Sequence, residues 1–257
     1  GAITFKTAPN FEVKNSYSIT VTATDNVNNS ATQAVTISIN DVNENISFGG
    51  KTYHPITSPI TGLEWLDRNL GADQVCTSSS DSSCYGDYYQ WGRLTDTHEK
   101  TTSSTTSTRA SDILSAGANF IINGTTPNDW LQNATQDSNN IDDDGTIRQI
   151  QWQKADGNSV CPSGYQVPTL PQLQAETTAD SIQDTDTSSN GNIEVTNATT
   201  AFQNFLKLPV SGYRKGSDAA MDLVGTQGFL WSTTTSGGTS SNLYYNAGTA
   251  DTSSENF

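Results

Sequence analysis

The sequence predicts an α+β protein in two unequal parts, on three observations. Residues 17–24 (YSITVTAT) and 32–40 (TQAVTISIN) alternate β-branched with small or polar residues, the period of a strand with one covered face. Two short stretches further along carry helix start and stop signals. Long polar runs such as 95–111 (TDTHEKTTSSTTSTRAS) and 132–145 (QNATQDSNNIDDDG) follow neither period and read as loops. Strand character dominates residues 1–45, and mixed character begins at 46 and runs to 257.

Taken in order, DNVNNS is turn chemistry joining the first two strands into a hairpin. Two or three strands cannot cover a face unaided, so this part is either the end of a β-sandwich or a ribbon leaning on the residues after it. KTYHPITSPITGLEWLDRNL reads as a second hairpin around Ser58-Pro59. YGDYYQWGR (85–93) reads as a strand, with Tyr85, Asp87, Tyr89 and Trp91 on a core face. Tyr88 and Gln90 then lie on the other face between Gly86 and Gly92, equally placed to fill a small core or to meet a ligand. Asp87 and Arg93 are expected to pair with each other or with Arg68 or Asp67. PTLPQLQAET places Thr169 as N-cap, Pro171 in the first turn and Gln172 to complete a capping box. TTAFQNFLKLP spaces Phe202, Phe205 and Leu206 as on a helix that stops at Pro209.

Composition narrows the function. Hydrophobic residues are 33% of the chain, a low share, yet five Trp, nine Tyr and eight Phe supply large buried areas. With 12 Lys and Arg against 27 Asp and Glu the net charge is −15, and no basic patch is visible, so nucleic acid is not an expected partner. No apolar run has a membrane span's length. The charge makes divalent cations, Ca²⁺ above all, natural ligands. Cys76 and Cys84 bracket the polar loop CTSSSDSSC, which suits a disulfide formed in an oxidising compartment. Cys161 is left over: it is either buried and inert or paired outside these residues. The chain opens Gly1-Ala2, without a methionine, and is read as a piece of a longer protein.

Two family resemblances sharpen this. PNFEVKNSYSITVTATD followed by INDVNEN resembles the last strands of a cadherin-like repeat, with Glu12, Asp41, Asn43, Glu44 and Asn45 at matching positions, although Asn10 stands where aspartate is usual and Glu44 replaces Asp. The resemblance implies calcium held by Glu12, Asp41 and Asn43. Residues 65–72 (WLDRNLGA), 85–93, 161–173 (CPSGYQVPTLPQL), 205–214 (FLKLPVSGYR) and 224–234 (VGTQGFLWSTT) resemble, in that order, the major paralogous domain family named from Fibrobacter succinogenes. That family is related to C-type lectin-like folds, and the match spans nearly all of 50–250. It implies a C-type lectin-like second part, at the end of a calcium-dependent RTX adhesin on the bacterial surface, binding the C-termini of peptides or proteins on other cells. The module would be monomeric within a long multidomain chain. It also implies that Cys161 pairs with a cysteine in a final strand that these residues lack.

Asn140, Asp142 and Asp144 with Gly145 form the front half of an EF-hand-like loop, but Gln151 stands at its twelfth position, where a bidentate glutamate belongs. Asp184 and Asp186, with Asn190 and Asn192, form a second acid-rich cluster. Asp218 and Asp222 precede Trp231 and Ser232, on a strand that resembles the one beside the ligand-side calcium of C-type lectin-like folds. Ligand contact is expected at Tyr88, Gln90, Asp218, Asp222, Trp231 and Ser232. A domain of this charge gripping a carboxylate is expected to share a Ca²⁺ with it, and the same arrangement would serve a sugar's vicinal hydroxyls. Glycans and a non-binding structural spacer are the rival readings. Catalysis is not expected: His54 and His98 lack a recognisable motif context and read as surface residues.

Overall fold

The computed structural model describes residues 3–9, 14–40, 45–125, 128–132, 142, 144–177, 194–236 and 239–256. The chain divides into two compact units, Gly1–Glu44 and Asn45–Phe257.

In the first unit, β1 (Ser16–Thr24) and β2 (Ser30–Ser38) pair antiparallel from Ser16 opposite Ser38 to Thr24 opposite Ser30. Period two puts Tyr17, Ile19, Val35 and Ile37 on one face, the face the alternation marks as apolar. The turn closes on Asp25, whose carboxylate accepts from the backbone N–H groups of Val27 and Asn29 and from the Asn29 amide. Those hydrogen bonds, led by the Asn29 side chain, hold the Asp25 pKa below the usual carboxylate value. Asn28 supplies the left-handed residue of the turn.

Among its described residues the second unit combines three short α-helices and a 3-10 turn at Ser82–Cys84 with small, mostly antiparallel sheets, an α+β composition. β3 (Ile46–Phe48) and β4 (Lys51–Tyr53) are joined through Gly49 and Gly50, both at positive φ, as a two-residue hairpin turn needs. β5 (Pro55–Thr57) and β6 (Glu64–Leu66) form the hairpin expected around Ser58-Pro59. Its loop winds on the Ser58 hydroxyl, which accepts from Ile60 and Thr61 N–H and donates to the buried Glu176 carboxylate at 2.6 Å. β7 (Thr105–Thr106) and β8 (Phe120–Ile121) run parallel, while β9 (Tyr213–Arg214) and β10 (Met221–Asp222) run antiparallel. The largest sheet is β11 (Gly228–Ser236), β12 (Thr239–Tyr245) and β13 (Ala250–Asn256), antiparallel in that order.

Helix α2 (Leu170–Thr177) starts as expected: Thr169 Oγ1 accepts from Gln172 N–H, and Gln172 Oε1 accepts from Thr169 N–H at 2.9 Å. Helix α3 (Ala198–Gln203) ends sooner than its apolar spacing suggests. Asn204 leaves the helical region, its buried side chain accepting from Leu206 N–H and donating to Glu176 O, so Phe205 and Leu206 reach the core from a loop. Helix α1 (Thr146–Trp152) was not expected at all.

Four core clusters organise the described residues of the unit. Ala110, Ile113, Ile121, Trp130 and Leu131 form one, and Cys76, Cys84 and Tyr85 a second. Leu173, Ala201, Leu206, Leu208, Leu243 and Tyr245 join α2 and α3 to β12. Trp91, Trp152, Val160 and Cys161 form another, with Tyr89, Tyr165 and Trp231 packed against it. Cys76 and Cys84 are disulfide-bonded, whereas Cys161 is a buried free thiol.

Residues 85–93 are not a strand; this expectation is corrected. Asp87 and Tyr88 N–H donate to the carbonyls of Leu70 and Glu99, both at 2.8 Å, and much of the remaining backbone of this stretch pairs with side chains. The carbonyls of Tyr89, Trp91 and Arg93 accept the indole N–H of Trp231 at 3.2 Å, Trp130 at 2.8 Å and Trp152 at 2.8 Å. Trp91 in turn donates to the Ser232 carbonyl at 2.8 Å. Four tryptophans thus tie the stretch to α1, to the segment before Leu131 and to β11. A buried indole needs such an acceptor, and each one found removes an unsatisfied backbone carbonyl. Gly92 permits this crowding, because at φ +77° a Cβ there would also fall 2.4 Å from the Arg148 side chain.

Candidate functional site

This aromatic hub borders a cavity of about 800 Å³, within the range of small-ligand sites. Tyr88, Tyr89, Tyr213, Phe229 and Trp231 supply much of its wall. Tyr213 and Phe229 meet edge to face with ring centroids 5.0 Å apart. Tyr88 spans from the hub to the stretch before β9, donating its hydroxyl to Ser211 O at 2.8 Å, and burial pushes its phenol pKa up to about 12. It stays a neutral donor across the physiological range.

Of the six expected ligand contacts, Tyr88, Gln90 and Trp231 line the cavity. Gln90 is buried and committed. Its amide donates to Ile121 O and accepts from Ile121 N–H, both at 2.9 Å, so a side chain does for β8 what a neighbouring strand's backbone would do. It also accepts from Arg93 Nη1 at 2.7 Å. Ser232 is fully buried, bonds Ser241 O at 2.8 Å and is not among the lining residues. Asp218 and Asp222 also lie off the cavity wall, where both face Lys215 Nζ, at 3.4 Å and 4.0 Å.

The expected metal ligands Glu12, Asp41, Asn43, Asn140, Asp184 and Asp186 lie outside the described residues. Asp142 is 3% exposed, and its carboxylate accepts from Ile147 N–H, Arg148 N–H and Arg148 Nε, so it both caps α1 and neutralises Arg148. Asp144 accepts from Thr146 N–H at 2.9 Å. These two acids start a helix, the role of short acidic side chains at an N-terminus.

Among the described residues one group of His, Cys, Asp and Glu side chains is placed to share an ion: Asp96, His98 and Glu99. Contrary to expectation His98 is fully buried, and its ring does not fit a metal. Nε2 accepts the Gln90 N–H at 3.1 Å, which fixes the ring proton on Nδ1, 2.6 Å from Asp96 Oδ1. A ligand nitrogen needs a free lone pair, and neither nitrogen retains one. Asp96 is also held by Arg93 Nη2 at 2.9 Å. Two remaining carboxylates fall well short of the six to eight oxygens a calcium takes.

Burial pushes the Cys161 thiol up to about 12, so it stays protonated at neutral pH.

Sequence reasoning passed over Arg214. It lines the cavity with its guanidinium carbon 4.1 Å from the Phe120 ring centroid. The only signal was the Tyr-Arg pair in PVSGYRKG, a rare cation beside an aromatic in an acidic chain. Comparison with family models, with curated proteins and with solved structures finds no match in any of the three.

Proposed function

We propose that the second unit is a ligand-binding module of C-type lectin-like fold that holds the end of a peptide in the aromatic cavity, as part of an extracellular bacterial adhesin. The observation that carries this reading is the cavity itself: a space of ligand size, walled mainly by aromatic and aliphatic side chains, with polar groups such as Asn128, Gln166 and Arg214 set among them. Such a wall suits an apolar terminal side chain better than a sugar's many hydroxyls, each of which needs a partner once buried. The five ordered sequence blocks support the fold, and the Cys76–Cys84 disulfide agrees with an oxidising compartment. Binding rather than catalysis is favoured by the committed state of His98 and the protonated Cys161 thiol. Calcium enters as the counter-ion expected of the acid-rich stretches.

The test is a C-terminal peptide library run beside a glycan array. Peptides ending in aromatic or large aliphatic residues are expected to bind, and to quench tryptophan fluorescence because Trp231 lines the cavity. Binding confined to glycans would transfer the site to the lectin reading, and no binding on either array would leave a spacer.

A further inference from the structure

We infer that Arg214 receives the ligand's negative charge, so that the cavity selects the free α-carboxylate of a peptide's last residue and takes it directly on a guanidinium, with no bridging metal. This rests on the reading of the cavity as a peptide-end site. The starting point is an imbalance. In a chain of net charge −15, Arg68 pairs with Asp67 at 2.8 Å, Arg93 with Asp96 at 2.9 Å, and Arg148 with Asp129 and Asp142 at 2.9 and 2.8 Å. Among the described residues Arg214 has no carboxylate partner. Its acceptors are neutral: Ala219 O for Nε, His98 O, Lys100 O and Ser103 Oγ for Nη1, and Ser103 O for Nη2.

The cavity wall includes two cations, Arg68 and Arg214, and Arg68 is already neutralised. Arg214 is therefore the one positive charge the described wall offers. Burial lowers its pKa, yet a guanidinium stays protonated, so the charge persists. It is also fixed in place. Five hydrogen bonds and the Phe120 ring hold the fork, and one N–H of Nη2 remains after the donors are assigned. One fixed charge with one remaining donor suits a singly charged carboxylate. A phosphate dianion is disfavoured, because a single guanidinium with one remaining donor balances one charge, and Glu64 also lines the cavity.

The experiment uses the whole chain and hexapeptides ending in Phe, Tyr, Trp or Leu, each made as the free acid and as the carboxamide, titrated with calcium and in EDTA. The acids are expected to bind about tenfold or more tighter than the amides in both buffers, since one charge-assisted hydrogen bond separates the two. Arg214→Gln is expected to abolish this ratio by weakening the acids far more than the amides, which lose only a hydrogen bond to a neutral carbonyl. Because Arg214 also braces residues 98–103, its variant is read only beside an unchanged melting temperature; the acid-to-amide ratio of the unaltered protein stands as a test without it. Equal binding of acid and amide would overturn the role of Arg214 and leave the cavity reading intact. An acid preference lost in EDTA would overturn it in favour of a metal bridge. Binding of neither form would remove the peptide reading and this inference together.

Discussion

His98 shows how one side chain can carry a pH dependence for the whole unit. It accepts from Gln90 N–H and donates to Asp96, and its ring edge packs on Tyr89 and lies near Phe120. Burial is the main force lowering its pKa below the ordinary 6.5, and the Arg93 charge adds to it. An unfolded histidine takes up a proton near pH 6.5, while the folded one does so only at lower pH. In that window the unfolded chain binds more protons, so the stability contributed by neutral His98 is complete above 6.5 and is lost as the pH falls. The slope is bounded by one proton, about 1.4 kcal/mol per pH unit. Melting temperature measured from pH 7.5 to 5.5 is expected to fall, and to fall less steeply in His98→Gln, which keeps an acceptor for Gln90. The other histidine, His54, is exposed. Identical slopes in the two proteins would show that burial of this ring does not govern the response.

At the scale of elements, the three-stranded sheet depends on a close approach at its edge with the core. Gly228 opens β11 opposite Tyr245, and a Cβ there would lie 2.0 Å from the tyrosine ring. That ring is buried, and its hydroxyl donates to Pro209 O at 2.6 Å, so it cannot swing aside without losing a buried bond. Gly228→Ala is expected to destabilise by about 1–3 kcal/mol, whereas Gly248→Ala, whose Cβ would meet only Asn246 Oδ1 at 3.7 Å, should stay within about 0.5 kcal/mol. Denaturant midpoints compare them; equal midpoints would mean the sheet yields at Tyr245. The contrast also marks what the sequence could say. The β1–β2 and β5–β6 hairpins and the capping box of α2 were legible because their determinants lie within a few residues of each other. The stretch 85–93 was not, since its carbonyls are filled by tryptophans 39 to 142 residues away. The helix-starting bonds of Asp142 and Asp144 were not legible, because an acid that caps a helix and an acid that holds an ion share one local pattern. Tyr88 and Trp231 were legible as cavity aromatics, but the commitment of Gln90 to Ile121, and the solitude of Arg214's charge, depend on contacts made only in the fold.

For the molecule as a whole, charge is the quantity to explain. At least six of the 12 Lys and Arg, namely Lys51, Arg68, Arg93, Lys100, Arg148 and Lys215, are engaged with carboxylates. The net charge of −15 is left to act at long range, and it opposes the compact state through self-repulsion. Raising sodium chloride from about 10 to 150 mM shortens the screening length from roughly 30 to 8 Å and is expected to raise the melting temperature. Calcium at matched ionic strength separates screening from binding. If the acid-rich stretches hold ions, saturating calcium adds about 5–10 °C beyond the sodium effect, the shift expected when ligand exceeds its dissociation constant about a hundredfold. The peptide acid-to-amide ratio should not move with it, because the cation that meets the ligand is Arg214. Calcium that adds nothing beyond matched sodium would show these stretches to be solvated carboxylates, and calcium that changes the ratio would place an ion at the ligand after all.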